Sequence, residues 1–261
     1  MAISSAPAAL AALLRSGTVR YSAWIGTPEE LVAEAAARAG FDCVALDMQH
    51  GLHDPVSVMR GIAAVALAGK PTLVRVPVGD FAMASRALDM GAAAVIAPMI
   101  NSVEDARAFA RAVKYPPVGE RSWGAGRAIQ LAGIADPSAY LRGANDATLA
   151  FAMIETREAV AALDDILAVP GIDGVFIGPS DLSIALSGGA SVDPLRADNA
   201  AALAAILARV KAAGKLGATY AITGAQARGY RELGFHLVAM GTDGTYLRIG
   251  ASAMLREATA E

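Results

Sequence analysis

Charges interrupt the apolar runs of this chain at a few positions, and those positions are where chemistry is possible. CVALDM leads into Asp47-Met48-Gln49-His50, LVRVP holds Arg75, TLAFAMIE ends in Glu155, GVFIGP is followed at once by Ser180-Asp181, and HLVAMGT leads to Asp243. A charge inside an apolar segment is costly unless it is paired or bound to a metal, so Arg75 and Glu155 need a reason to be there. Glu155 and Asp181, with no thiol and one imidazole (His50) near them in the pattern, form an oxygen-donor set. Such a set suits a divalent metal ion, Mg²⁺, Mn²⁺ or Co²⁺, and leaves positions open for water and substrate. A 2-oxo acid fills them by chelating through its carboxylate and keto oxygens. Taken singly, each residue has a plainer reading: Asp47 or Asp243 as a solvated or salt-bridged strand end, Arg75 as an ion-pair partner of Glu155. The functional reading depends on the group, and so on the elements that gather it.

Those elements are legible. Short β-branched runs near 19–25, 43–48, 72–77, 93–99, 148–155, 174–179, 216–222 and 236–242 alternate with Ala-rich helical stretches near 28–39, 55–68, 80–90, 103–113, 156–169, 197–213, 224–233 and 245–257. Thr27-Pro28-Glu29-Glu30 reads as an N-cap, a proline at the first helical position and an acidic first turn. Gly40, Gly69, Gly91, Gly214 and Gly234 each follow a helix, where a left-handed residue is wanted. Strands alternating with helices imply a parallel sheet. Eight such units in 261 residues, with no GxGxxG turn after the first strand, favour an α/β (β/α)₈ TIM barrel over a doubly wound open sheet. The expected organisation is one barrel domain over residues 1–261, with the longest irregular stretch, 114–147, as an insertion. In such a barrel chemistry sits at the C-terminal ends of the strands. Asp47, His50, Arg75, Glu155 and Asp181 all fall on that rim.

Composition narrows the classes further. A net charge of −3 offers no basic footprint for nucleic acid. No stretch is long and apolar enough for a membrane helix. MAISSAPAALAALLRSG lacks a positive charge before its apolar part, which argues against a signal peptide and for a short helix packed on the barrel. The single cysteine, Cys43, excludes a disulfide scaffold and points to a reduced, cytoplasmic setting. With only three histidines, a structural zinc site is disfavoured as well. A Schiff-base aldolase needs a lysine within a strand near its C-terminal end. Lys70 and Lys114 follow helices, Lys211 lies in one, and Lys215 precedes the seventh strand at the wrong end, so placement disfavours imine chemistry.

At this point the segments AWIGTPE, AGFDCVALDMQHG, LVRVP, LDMGAAAVIAPM, IETREAV and GIDGVFIGPSDLSIALS, in order over residues 23–187, carry a resemblance. The chain resembles the metal-dependent class II pyruvate aldolases of the 4-hydroxy-2-oxoheptane-1,7-dioate aldolase type, within the citrate lyase β-like superfamily. The resemblance implies that Glu155 and Asp181 hold the metal, that His50 is the general base, and that Arg75 stabilises charge on the keto oxygen. It implies that Asp47 orients the acceptor or a water, and that the backbone at Ser180 and Asp181 holds the pyruvate carboxylate. Asp89 matches the aspartate that raises the basicity of the histidine. Asp89 ends the helix before the fourth strand, at the bottom of its own barrel, so that role requires a neighbouring subunit; the family implies a homohexamer, a trimer of dimers. Two positions depart from the pattern: Met153 stands where the family often has Gln, and Gln49 where it often has Glu. Both lie at the donor pocket. They leave open whether pyruvate or hydroxypyruvate is the donor and which aldehyde is the acceptor.

Other residues are secondary. Trp24 is a wall of the pocket or part of the core. Arg121, Ser122, Trp123 and Arg127 of GERSWGAGR are candidates for the acceptor entrance, Tyr220 for a contact to the acceptor. His53 reads as a surface or helix-capping residue and His236 as structural. Two alternatives remain at this stage: a thioester lyase of the citrate lyase β type, and a silent barrel that binds a 2-oxo acid.

Overall fold

Each of the eight apolar runs forms a parallel strand in the computed structural model, which describes residues 6–260. The strands are β1 (Arg20–Ile25), β2 (Cys43–Asp47), β3 (Thr72–Arg75), β4 (Ala94–Ala97), β5 (Leu149–Ile154), β6 (Gly174–Ile177), β7 (Leu216–Ala221) and β8 (Leu237–Met240). They hydrogen-bond in sequence order, and β8 returns to β1, so the sheet closes into a (β/α)₈ TIM barrel. The helices are α1 (Ala6–Arg15), α2 (Glu30–Arg38), α3 (Pro55–Leu67), α4 (Phe81–Met90), α5 (Val103–Val113), α6 (Gly126–Ala132), α7 (Pro137–Ala147), α8 (Arg157–Ala161), α9 (Leu163–Ala168), α10 (Pro179–Leu186), α11 (Ala197–Ala212), α12 (Gly224–Leu233) and α13 (Asp243–Thr259).

The period of two along a strand decides what faces inward. Val44, Leu46, Val74, Val95, Ile154, Val175 and Ile177 point outward and pack under the helices. Cys43, Ala45, Leu73, Ile96, Phe151, Met153, Phe176 and Ala218 point inward and fill the barrel. Continuing that parity by one step on each strand gives Asp47 after Ala45, Arg75 after Leu73, Glu155 after Met153 and Tyr220 after Ala218. The inward face therefore turns polar only at the C-terminal end. At the other end α1 closes the barrel: Leu10 and Leu14 are fully buried in the same inner cluster. The expected N-terminal helix is thus present over residues 6–15; residues 1–5 lie outside the described part.

Three local expectations change. The stretch 114–147 contains α6 and α7, the latter capped by Asp136, whose side chain accepts from Ser138 and Ala139 N–H. The helix expected over 156–169 is two, α8 and α9, joined at Ala162. Thr27 does not cap α2, which begins at Glu30 behind Glu29 with no side-chain cap. The reason is that Thr27 is already engaged: its N–H and hydroxyl donate to Asp243 Oδ2 at 2.9 and 2.5 Å. Asp243 also accepts from Gly26 N–H (3.2 Å), so it clamps the end of β1 to the start of α13.

Candidate active site

Asp47, Arg75, His50 and Asp181 at the strand ends line a cleft of about 330 Å³, with Trp24, Met153, Phe176 and Tyr220 as its walls. Asp47 organises one side. Register pairs Asp47 with Arg75 across β2 and β3. The guanidinium then grips the carboxylate in bidentate fashion, Nε to Oδ1 at 2.8 Å and Nη2 to Oδ2 at 2.6 Å. Trp24 Nε1 donates to Oδ2 (3.2 Å), and the N–H groups of Gln49 and His50 donate to Oδ1 (3.0 and 3.4 Å). Burial opposes the Asp47 charge, but the Arg75 hydrogen bonds and charge, helped by Trp24 and Gln49, outweigh it and hold the carboxyl below its usual range. Arg75 also lies over the Trp24 ring, 4.8 Å from its centroid.

This arrangement settles two sequence-level alternatives. Arg75 pairs with Asp47 and not with Glu155. Asp47 has both oxygens occupied by protein donors, so it fixes Arg75 and folds the loop that presents His50, instead of reaching toward an acceptor or a water. The guanidinium keeps Nη1 without a protein partner among the described residues. His50 is exposed at the rim of the cleft.

Glu155 organises the other side in a different way. It is 1% exposed, yet it accepts one hydrogen bond, from Met99 N–H to Oε1 at 2.8 Å. Met99 is the one non-glycine residue with positive φ (55°) among the described residues. That conformation is disfavoured for a side chain of its size, and here it turns the N–H onto Glu155. Burial pushes the Glu155 pKa up to about 7; the Met99 N–H works against the rise, the negative charge of Asp181 with it, and Arg75 against it. A methyl group on Gly178 would collide with Glu155 Oε2, so only glycine lets the turn after β6 come this close. That turn starts α10. Its N-cap, Gly178, has no side-chain cap, and Ser180 and Asp181 in the first helical turn line the cleft. Free N–H groups at a helix start attract a carboxylate.

Asp181 thus lines the cleft, Glu155 lies buried behind Gly178 at its wall, and neither carboxylate has an ion-pair partner among the described residues. A divalent cation fits this donor set: it would neutralise a buried carboxylate that the protein leaves uncompensated, with oxygen ligands only.

Other expected residues lie elsewhere. Asp89, in the last turn of α4, sits at the N-terminal end of the barrel and is bonded to Arg121 Nη2 at 2.5 Å. Arg121 is buried there and stacks over Tyr115, with its Cζ 4.5 Å from the ring centroid. Trp123 packs between Tyr115 and Tyr140. Within the protomer the GERSWGAGR segment therefore does not form the acceptor entrance. His53 is buried, with Nδ1 3.1 Å from Ser57 Oγ in the capping box of α3. His236 accepts at Nδ1 from Gly217 N–H (3.0 Å) and is structural. Met99 and Gly178 were missed as site residues. Nothing in AVIAPMIN marks a left-handed methionine, whereas a glycine directly after a strand that faces Glu155 was a usable signal.

Comparison with known proteins follows the same lines. Residues 20–249 match the family model described as HpcH/HpaI aldolase/citrate lyase. The chain is 38% identical over 232 residues to a hydroxypyruvate/pyruvate aldolase of Roseovarius nubinhibens, covering 88% of each chain. It is 36% identical over 250 residues to a 4-hydroxy-2-oxo-heptane-1,7-dioate aldolase of Salmonella dublin, covering 95% of this chain and 93% of the relative. Among solved structures, an HpcH/HpaI aldolase/citrate lyase family protein of Burkholderia cenocepacia superposes with a TM-score of 0.85 at 31% identity, covering 97% of this chain and 99% of that one.

Proposed function

The chain belongs to the HpcH/HpaI aldolase/citrate lyase family, and from that premise we propose that it is a 2-oxo acid aldolase acting at the cleft between Glu155 and Arg75. It is a carbon–carbon lyase: in one direction it cleaves a 4-hydroxy-2-oxo acid, in the other it joins pyruvate or hydroxypyruvate to an aldehyde. The observation that carries the assignment of the site is Glu155, a buried carboxylate without an ion-pair partner among the described residues, packed directly behind Gly178 at the wall of a cleft that is lined by Asp181, Arg75 and His50.

A divalent cation held by Glu155 and Asp181, with Mg²⁺, Mn²⁺ and Co²⁺ as the candidates, supplies Lewis acidity that acidifies C3 of the 2-oxo acid. The protein does the rest. The N–H groups at the start of α10, Ser180 and Asp181, bind the substrate carboxylate. Met153, Trp24 and Phe176 wall the donor and keep water out. His50, at the rim, takes the C3 proton. Arg75 stays charged at any working pH and offers Nη1 to the oxygen on which negative charge develops, while Asp47 fixes its orientation. The nucleophilic carbon then attacks the aldehyde carbonyl, and cleavage runs the same steps backwards.

Asp89 raises the basicity of His50 only from a neighbouring subunit, because in its own protomer it lies at the opposite end of the barrel. A homohexamer provides such neighbours. Supporting an oligomer, α13 buries none of its residues, and Leu247, Met254 and Leu255 are 75%, 74% and 66% exposed. An apolar face of that kind is commonly covered by another copy.

The test is proton exchange. Pyruvate or hydroxypyruvate is incubated with the protein in D₂O, and loss of the C3 proton signal is followed by NMR with Mg²⁺, Mn²⁺, Co²⁺ or excess EDTA. Exchange that needs metal and disappears in Glu155→Gln is the expected result. No exchange with either donor under any metal would overturn the aldolase reading of this cleft.

A further inference from the structure

The first turn of α10 binds substrate in the reading above, yet little in its own sequence holds it in place. Gly178 brings no capping side chain, and Pro179 has no N–H. Support comes from twenty residues downstream. Asn199, in the first turn of α11, is 0% exposed. Its Nδ2 donates to Pro179 O and to Pro194 O, each at 3.0 Å, and its Oδ1 has no partner among the described residues. One turn along α10, Ser183 is also 0% exposed. Its Oγ donates to Ser180 O at 2.7 Å and accepts from Asp193 N–H at 3.0 Å.

Packing alone gives no reason for an asparagine at this place. The next buried residues of α11 are Leu203, Ile206 and Leu207, and a half-satisfied amide beside them is worse for stability than an apolar side chain. What the amide does is tie three segments together: the start of α10, the 187–196 loop and α11. One tether ends at Pro179 O, next to the substrate-facing Ser180 N–H; the other, at Pro194 O, fixes the 187–196 loop against the same helix start.

We infer that Asn199 is a positioning residue for the reaction, with Ser183 as its second strut. The two set the height and tilt of the first turn of α10 against Glu155, so that the Ser180 and Asp181 N–H groups and the Asp181 carboxylate meet one substrate together. The inference rests on the reading of that turn as the holder of the 2-oxo acid carboxylate. A shift of about 1 Å in such a group costs up to about a hundredfold in productive binding.

The experiment measures KM for pyruvate in the D₂O exchange reaction and, separately, the Kd of oxalate by calorimetry, both with Mg²⁺. In Asn199→Ala the expected result is a KM raised about tenfold or more, oxalate weakened in proportion, and exchange at saturating pyruvate within about threefold of the parent. Ser183→Ala shifts both constants the same way by less. A folded Asn199→Ala protein with lowered Tm but unchanged KM and Kd would make the residue purely structural and overturn the inference. If Asn199→Ala does not fold, Ser183→Ala decides by the same two constants. If the parent protein exchanges neither pyruvate nor hydroxypyruvate with any of the three metals and does not bind oxalate, the reading of the cleft falls, and the inference with it; if only hydroxypyruvate exchanges, its KM takes the place of that for pyruvate. If the parent exchanges a donor and binds oxalate, that reading stands and only the role of Asn199 is at stake.

Discussion

Lys114 and Glu155 are both buried charges, at opposite ends of the same barrel. Lys114 is 2% exposed beneath the strands, and its ammonium has three acceptors: Asp173 Oδ2, Asn145 O and Thr148 O, each at 2.7 Å. Burial pulls its pKa down and Asp173 opposes that, so the charge is compensated on the spot. Glu155 is as deeply buried above, has one N–H for company and faces a like charge. A buried charge that the protein satisfies is a brace. One that it declines to satisfy is a place reserved for something else.

Four substitutions put that contrast at risk. The largest effect is expected for Glu155→Gln: metal-dependent exchange falls by about a thousandfold or more, while the metal-free protein is at least as resistant to urea as the parent, because an uncompensated charge has gone. Lower urea resistance would show that Glu155 is a brace after all. Lys114→Met tests the other end. Removing one partner of a compensated pair leaves Asp173 with the Ala150 N–H and the more distant, half-exposed Arg15, at a cost of about 3 kcal/mol in urea unfolding, with exchange per folded molecule unchanged. A milder loss would mean the lower cluster tolerates imbalance as the upper one does.

Asp47 sharpens the comparison within the rim itself. Its carboxyl is held below the ordinary 3.8, the folded state favouring the ionised form. Its contribution is therefore full above pH 3.8 and is lost as pH falls through the lower folded value. In an acid series of urea titrations Asp47→Asn should show a shallower loss of stability there than the parent. Equal slopes would mean that the five donors around Asp47 do not stabilise its charge. The smallest effect is expected for Met99→Gly, which keeps the N–H on Glu155 and removes the left-handed strain. Unfolding should change by less than about 1 kcal/mol, and exchange should be unaltered. Loss of exchange would mean that the Met99 side chain, not its N–H, supports Glu155.

Much of this was legible in the chain. Eight β-branched runs fixed the strands to within two residues, because a buried parallel strand writes itself as an apolar run. Glu155, Asp47 and Arg75 stood out because each sits two residues beyond an inward apolar position. What was not legible depends on residues far apart in sequence. Thr27 looks like a helix cap until Asp243 takes its hydroxyl, a contact 216 residues long. Asp47 looks free to meet substrate until Arg75, Trp24 and its own loop saturate it. The helices within 114–147 were hidden by short apolar runs broken by glycine and proline, although Asp136-Pro137 is a readable helix start. Asn199 has no marker at all, since its value lies in the carbonyls that it reaches.

The α1 plug has a consequence for the order of events. With Leu10 and Leu14 sealing the lower end, the barrel is a cup with one mouth, and in the proposed reaction a donor held at Asp181 and Glu155 would lie deeper in it than the acceptor. Traffic is then last in, first out: the 2-oxo acid must enter before the aldehyde, and after cleavage the aldehyde must leave before the 2-oxo acid can. Kinetically, free pyruvate should compete with the 4-hydroxy-2-oxo acid for the empty cup, whereas the aldehyde should only slow emptying of a cup still occupied.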